Sequence, residues 1–207
     1  MPVHLVEHPL VQDALVDLRD KRTSPEHFRR AATRISVLLA AEALRYVPTR
    51  DVNVDTPLGP ADGRRLGADI VVVPVLRAGL GMLDAVLELV PDARVGHIGL
   101  QRDEMTAVAS QYYSKLPATL HSSFVLMIDP MLATGGSAVA ALRLLREAGA
   151  VEIRIVCIVA APEGVALVER EFPDVAIYTP VVDRCLNDHK YIVPGLGDFG
   201  DRLYGTV

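Results

Sequence analysis

The sequence has no tryptophan, only two cysteines and few aromatic residues, although half of it is hydrophobic. Its core therefore has to be aliphatic. Cys157 and Cys185 stand far apart, and no Cys-x-x-Cys or Cys/His spacing offers a zinc site. Cys157 lies in an apolar run and reads as a small packed hydrophobe. Positive charge is not in surplus either: the formal net charge is -5. That argues against a general binder of nucleic acid or membrane surfaces. It leaves room for a small anionic ligand met by a few local arginines and a metal ion. No apolar stretch approaches the ~20 residues of a membrane span. The opening residues MPVHLVEHPL put acid and histidine where a signal peptide needs a basic region and a long apolar run. These absences predict a soluble cytoplasmic protein. No repeat, low-complexity tract or linker divides the chain, so residues 1–207 are expected to form a single domain.

What is present alternates. Ser24-Pro25 is a capped helix start, and Phe28, Ala31, Ile35 and Leu38 then fall at helical spacing over Ser24–Val47. Pro48–Gly67 is rich in Pro, Gly, Asp and Thr and reads as loops with at most a short extended piece. Ile70–Leu76 is a strand, followed by a helix with Leu80, Leu83, Leu87 and Val90 on one face, ended by Pro91. Val95–Leu100 is a strand, and the polar Gln101–Pro117 an exposed hairpin or arm. Further strands are expected at Phe124–Asp129, Val151–Ala160 and Val175–Val182. Helices are expected at Ser137–Ala148, closed by Gly149, and at Glu163–Phe172. Such alternation predicts an α/β fold, a mainly parallel twisted sheet with helices on both faces.

The most specific stretch is IDPMLATGGSA, Ile128–Ala138. A buried strand stops at Asp129; a threonine, two glycines, a serine and a helix follow. In such sheets ligands gather at the carboxyl ends of the strands. Gly135 and Gly136 permit positive φ and leave no Cβ in a ligand's way. The helix start adds free N–H groups and a positive dipole end. Thr134 and Ser137 add hydroxyls. Residues Ala133–Ser137 thus fit one phosphate monoester, with the Asp129 carboxylate able to accept from two ribose hydroxyls. Taken alone, Thr-Gly-Gly fits a plain strand-to-helix turn equally well. No GxGxxG fingerprint and no P-loop lysine are present, which counts against a sugar-nucleotide or NAD-binding domain.

An aliphatic strand, an acid, then Ala-Thr-Gly-Gly-Ser resembles the ribose-phosphate motif of the type I phosphoribosyltransferases. With Pro130 in place of a second acid, DPMLATGGS resembles the uracil phosphoribosyltransferase family in particular. Pro74–Met82 (PVLRAGLGM), Arg102–Glu104 (RDE), Tyr112–Pro117 (YYSKLP), Val159–Gly164 (VAAPEG) and Tyr191–Thr206 (YIVPGLGDFGDRLYGT) look like further segments of that family, in its order. The resemblance implies the type I phosphoribosyltransferase fold with an extended β-arm and a C-terminal base-binding loop. It implies a pentosyltransferase that converts uracil and phosphoribosyl pyrophosphate (PRPP) to UMP and diphosphate, with Mg²⁺ held mainly by substrate and water rather than by protein ligands. By the same resemblance Arg77 and Arg102 bind the diphosphate side of PRPP. Asp129, Pro130, Met131, Leu132, Ala133, Thr134, Gly135, Gly136 and Ser137 line its ribose-phosphate. Ile192, Gly197, Asp198 and Phe199 contact uracil. Asp198 also approaches the donor and, with Arg102, is expected to be catalytic. A dimer-based homo-oligomer and a GTP effector are implied as well.

Two points temper the resemblance. The commoner base loop of the family has alanine where Phe199 stands, so an inward-pointing ring would alter base choice. A different phosphoribosyltransferase, for a purine base or orotate, would keep the cradle and change the base loop. A regulatory RNA binder on this fold is opposed by the acidic balance and the lack of a Lys/Arg stripe. The histidines (His97 in a strand pattern, His121 and His189 in loops) support no nucleophilic machinery.

Overall fold

The hydrophobic runs do pair side by side. The computed structural model describes residues 3–102 and 109–206, with the side chains of residues 102, 109 and 110 outside that description. In chain order its elements are β1 (Val3–Leu5), α1 (Pro9–Arg19), α2 (Pro25–Ala43), β2 (Thr49–Thr56), β3 (Gly59–Leu66), β4 (Asp69–Leu76), α3 (Leu80–Leu89), β5 (Arg94–Val95), β6 (His97–Arg102), β7 (Ala109–Lys115), β8 (Ser123–Ile128), β9 (Met131–Leu132), α4 (Gly136–Glu147), β10 (Glu152–Val156), β11 (Val159–Ala160), α5 (Pro162–Glu171), β12 (Ala176–Thr179), β13 (Cys185–Leu186), β14 (Ile192–Val193) and α6 (Phe199–Tyr204).

The main sheet runs β1-β12-β10-β8-β4-β6-β7, with β5 also on β4. Every pairing is parallel except β6 with β7 at the edge. Side chains alternate through the central strands. Ile70, Val72, Leu126 and Ile128 face the layer of α1, α2, α3 and α6, while Val71, Val73, Val125 and Met127 face α4 and α5. Strand β8 is buried along its whole length. Each of its large aliphatic side chains contributes about 2 kcal/mol of burial before the entropy of ordering is set against it.

The helix starts follow local chemistry. Ser24 Oγ accepts from His27 N at the start of α2, and Pro25 occupies the first turn. His8 Nδ1 accepts from Leu10 N ahead of α1, which has Pro9 in its first turn. Helix α1 and strand β1 lie outside the elements expected from the sequence.

Four other expectations need correction. Residues 49–66 are a regular antiparallel hairpin, β2–β3, rather than loops. The hairpin stands off the body, so its residues are exposed and lack the alternation of a half-buried strand. The expected long strand Val151–Ala160 breaks after Val156. There Ile158 N and Val159 N turn away to donate to Pro130 O, and β11 pairs with β9 instead. In α3 the buried side chains are Met82, Ala85 and Val86; Leu83 and Val90 pack only partly, and Leu80 is exposed. The C-terminal segment expected as a loop contains α6, started by Asp198 Oδ1 accepting from Asp201 N at 2.9 Å.

Topology places the site. β4 and β8 are neighbours, paired up to Pro74 and Ile128. From β4 the chain crosses by α3 toward β6; from β8 it crosses by α4, on the opposite face, toward β10. Two connections diverging from adjacent strand ends leave a crevice between them.

Candidate active site

Strand β8 delivers Asp129 into that crevice, and the backbone beyond it is tied down before it turns. Asp129 N donates to Val156 O, Pro130 O accepts from Ile158 N and Val159 N, and Ala161 N donates to Leu132 O at 2.8 Å. Pro130 and Leu132 are buried, so their part in the loop is to anchor it. The turn follows at Gly135, which sits at φ +82° as the N-cap of α4. The N-cap Gly135 has no side chain to cap α4, and uncapped first-turn amides are what an anion site needs. Thr134 Oγ1 accepts from Gly136 N at a long 3.4 Å.

A second glycine, not singled out from the sequence as a site residue, is needed to hold this loop. A Cβ on Gly164 would lie 2.5 Å from Ala133 O, and one on Gly135 would lie 2.9 Å from Gly164 O. Gly164 is buried in the first turn of α5. The VAAPEG segment is thus the floor of the phosphate loop. Only the close approach of two backbones demands its glycine, and nothing local in the sequence announces that contact.

A cavity of about 190 Å³ lies above this loop, lined among others by Asp129, Met131, Ala133, Gly135 and Ser137 together with Arg77 and Ala78 from the end of β4. The Leu76–Arg77 peptide is cis, and Arg77 is exposed at the rim. A wider cleft continues from Arg77 and Ala78 past Gln101 and Tyr112 to Asp198 and Asp201. A third cavity of about 320 Å³ is lined by Ala78, Met131, Ala133, Ile192, Gly197, Asp198 and Phe199, with His189 at its rim. Ala78 belongs to all three, Met131 and Ala133 to the first and third, and Asp198 to the second and third. The three adjoin one another through these shared walls. Of the expected site residues, Pro130, Thr134 and Gly136 lie in the same loop but line none of the three, and the side chain of Arg102 lies outside the described residues, as do Asp103 and Glu104; the rest line at least one of them.

The base loop is built differently. The Val193–Pro194 peptide is cis, and Gly195 and Gly197 stand at φ +59° and +80°. The backbone of Gly197 makes no hydrogen bond among the described residues, which leaves an amide and a carbonyl for a ligand's polar edge. Ahead of it, Asn187 Oδ1 accepts from His189 N and Tyr191 N and shapes the turn that leads into Ile192. Glu163 accepts from Leu186 N at 3.0 Å, and this bond holds its carboxyl below the usual range. The Phe199 ring is turned into the core. It is 1% exposed and packs against Phe28 with ring centroids 5.3 Å apart. A Cβ on Gly81 would lie 3.0 Å from it. The ring therefore does not intrude on the base.

Among the described residues no cluster of three His, Cys, Asp or Glu forms a metal cage. Cys157 is buried, and burial pushes its thiol up to about 12, against a hydrogen bond with Thr179 that pulls the other way. It is inert packing, as expected.

A family model for uracil phosphoribosyltransferase matches residues 5–206. A uracil phosphoribosyltransferase of Dictyoglomus thermophilum is 52% identical over 205 residues, covering 99% of each chain. A solved structure of a protein from Aquifex aeolicus superposes with a TM-score of 0.94 at 40% identity, covering 98% of each chain. A hypoxanthine-guanine phosphoribosyltransferase of Bacillus anthracis, 12% identical with a TM-score of 0.51 over 90% of this chain and 84% of its own, shares the fold alone. With an anion cradle and a neutral backbone loop facing each other across Ala78, this chain belongs to the uracil phosphoribosyltransferase family.

Proposed function

We propose that the protein transfers the phosphoribosyl group of PRPP to N1 of uracil, giving UMP and diphosphate. The observation that carries this reading is the shared wall of the two cavities, Ala78, Met131 and Ala133. A phosphate bound over Gly135 and a base against Gly197 then lie on either side of that wall.

The chain's part in the reaction is chiefly placement. First-turn amides of α4 and the hydroxyls of Thr134 and Ser137 grip the 5′-phosphate, and Asp129 accepts from ribose hydroxyls. Arg77, with Arg102, offers charge to the diphosphate as its bond to C1 of the ribose breaks. That carbon becomes oxocarbenium-like, as at other glycosidic centres, and N1 closes on it from the opposite face. Asp198, which lines both the donor cleft and the base pocket, accepts the N1 proton directly or through a water. The main-chain groups of Gly197 and its neighbours read uracil's alternating C=O and N–H edges. Cytosine inverts two of those groups, and unpaired groups in a dry site are rejected by ~10⁴ or more.

Mg²⁺ would fit this site as an ion carried on donor oxygens and water, with Asp129, Asp198 and Asp201 the carboxylates that line the first cavity and the cleft. Bound there, it supplies neutralisation of the diphosphate charge.

Purified protein given uracil, PRPP and Mg²⁺ should form UMP and diphosphate in equal amounts, and no UMP with Mg²⁺ chelated. Failure with uracil alongside turnover of another base would move the reading to a different phosphoribosyltransferase. The same reading carries a cytoplasmic location, a dimer-based assembly and activation by GTP. The hairpin β2–β3, exposed with Leu58 at its tip fully bare, is a surface suited to such an assembly. Sedimentation, and assays with and without GTP, test the last two.

A further inference from the structure

The turn that separates Ile192 from Gly197 is held by charged groups from outside it. Asp183 is a buried acid, 7% exposed. Its Oδ1 accepts from Arg19 Nη2 at 2.7 Å, and its Oδ2 accepts from Arg19 Nη1 at 3.2 Å and from Gly195 N at 2.8 Å. Arg19 Nη1 also donates to Gly195 O at 3.2 Å. Both backbone groups of Gly195 are thus fixed by one ion pair. Gly195 cannot be replaced by stiffer local chemistry, since a Cβ there would lie 2.3 Å from Ile192 O.

The next carbonyl is held as well. Arg202 Nη1 donates to Leu196 O at 2.8 Å, while Nη2 donates to Asp20 O at 2.6 Å at the end of α1. Arg202 stacks on Phe28 at 4.5 Å. The pair is also registered on the phosphate loop. Ala161 N donates to Leu132 O, Asp183 N donates to Ala160 O at 2.8 Å, and Gly195 N donates to Asp183. Carbonyls 195 and 196 are occupied, and the groups of Gly197 are left for the ligand.

We propose that Arg19 and Asp183 are positioning residues for the pyrimidine: by clamping Gly195 they set the distance between Ile192 and Gly197, the two walls of the base pocket. This rests on the uracil reading above. Neither residue touches substrate, so the effect falls on base affinity and base choice rather than on donor binding.

The test uses the purified full-length chain and two conservative variants, with thermal transitions measured alongside. Arg19→Lys keeps the charge but loses the fork that reaches both the carboxylate and Gly195 O. Asp183→Asn keeps the shape, and its amide oxygen can still accept from Gly195 N and Arg19 Nη1, but Arg19 Nη2 then meets an NH2 donor in place of its acceptor. A misplacement of even 1 Å at a site of this kind costs as much as ~10²-fold. A smaller shift should raise the KM for uracil about tenfold in Asp183→Asn and about fivefold in Arg19→Lys, with the KM for PRPP within about twofold. Preference for uracil over cytosine should fall in both.

Uracil KM and base preference unchanged in a folded variant would overturn the proposal. So would KM values for uracil and PRPP rising together, which marks mere structural damage. If Asp183→Asn does not fold, because a buried charge has lost its partner, Arg19→Lys decides by the same criteria. A wild-type protein that makes no UMP would defeat the uracil reading. One that makes UMP while both variants keep their uracil KM would defeat only the clamp.

Discussion

The proposed donor loop, Asp129–Ser137, and the proposed base loop, Ile192–Phe199, are held by opposite means. The donor loop is held by backbone: a short parallel pairing of β9 with β11, a left-handed Gly135, and the glycine floor of α5. The base loop is held by charged side chains from outside the turn: Arg19 at the end of α1, Asp183, and Arg202 of α6. An anion needs donors in a small concave array, and local backbone supplies them. A planar base needs two walls at a set separation, and a glycine-rich turn cannot set that by itself. The lesson is that the donor site should fail when backbones are pushed apart, and the base site when distant charges are removed.

Asp198 stands in the base loop but also lines the cleft that runs back to Arg77, and its substitution is expected to have the largest effect on turnover. Asn caps a helix as well as Asp, so Asp198→Asn should keep the bond to Asp201 N and the fold while losing the proton acceptor. General-base contributions of 10²–10⁴ predict a kcat loss of about 10³ with the acid limb of the pH–rate profile flattened. A variant with normal kcat and a normal pH profile would remove Asp198 from that role.

Next comes a purely steric challenge to the donor loop. Gly164→Ala puts a methyl 2.5 Å from Ala133 O, against backbone that cannot rotate away. The loop must shift, so kcat/KM for PRPP should fall about 10²-fold while the KM for uracil stays near wild type. Equal losses for both substrates would show that the two loops do not fail separately.

How legible each region was in the sequence follows the same division. Strand β8, Asp129, the paired glycines and the α4 start are contiguous, so Ile128–Ala138 displayed both the turn and its chemistry. The base loop displayed only its glycines and prolines. Its clamp joins Arg19 to Asp183 across 164 positions, and neither residue carries a local signal. The hairpin β2–β3 escaped because an exposed ribbon has no buried face to impose a period of two. The early end of β10 was not legible because Cys157 and Ile158 are as apolar as a strand interior. Their departure is dictated by hydrogen bonds to Tyr178 O and Pro130 O, which composition does not carry.

Phe199 separates packing from recognition within the base loop itself. Its backbone opens α6 beside the pocket, while its ring lies against Phe28 and Gly81. Phe199→Ala should cost about 3 kcal/mol of stability in denaturant unfolding. Preference for uracil over cytosine should stay as in wild type below the unfolding range. A large change in base preference at full folding would mean that the ring acts on the pocket after all.

The smallest effect is expected where the two regions meet, at Glu163. It neighbours Gly164, under the donor loop, and accepts from Leu186 N at the entry to the base hairpin. Its carboxylate is exposed and screened by solvent, so turnover at neutral pH should barely register Glu163→Gln, whose amide oxygen can still accept from Leu186 N. The difference lies in acid. The bond to Leu186 N lowers the folded-state pKa below its ordinary 4.5. Folding therefore favours the ionised form. Its contribution is complete above 4.5 and fades as pH falls through the folded value. Thermal midpoints of wild type and Glu163→Gln should differ by a constant amount from pH 7 to about 5 and converge below about 4.5. Midpoints that run parallel down to pH 3 would show that the charge of Glu163 does not strengthen the tie between the two loops.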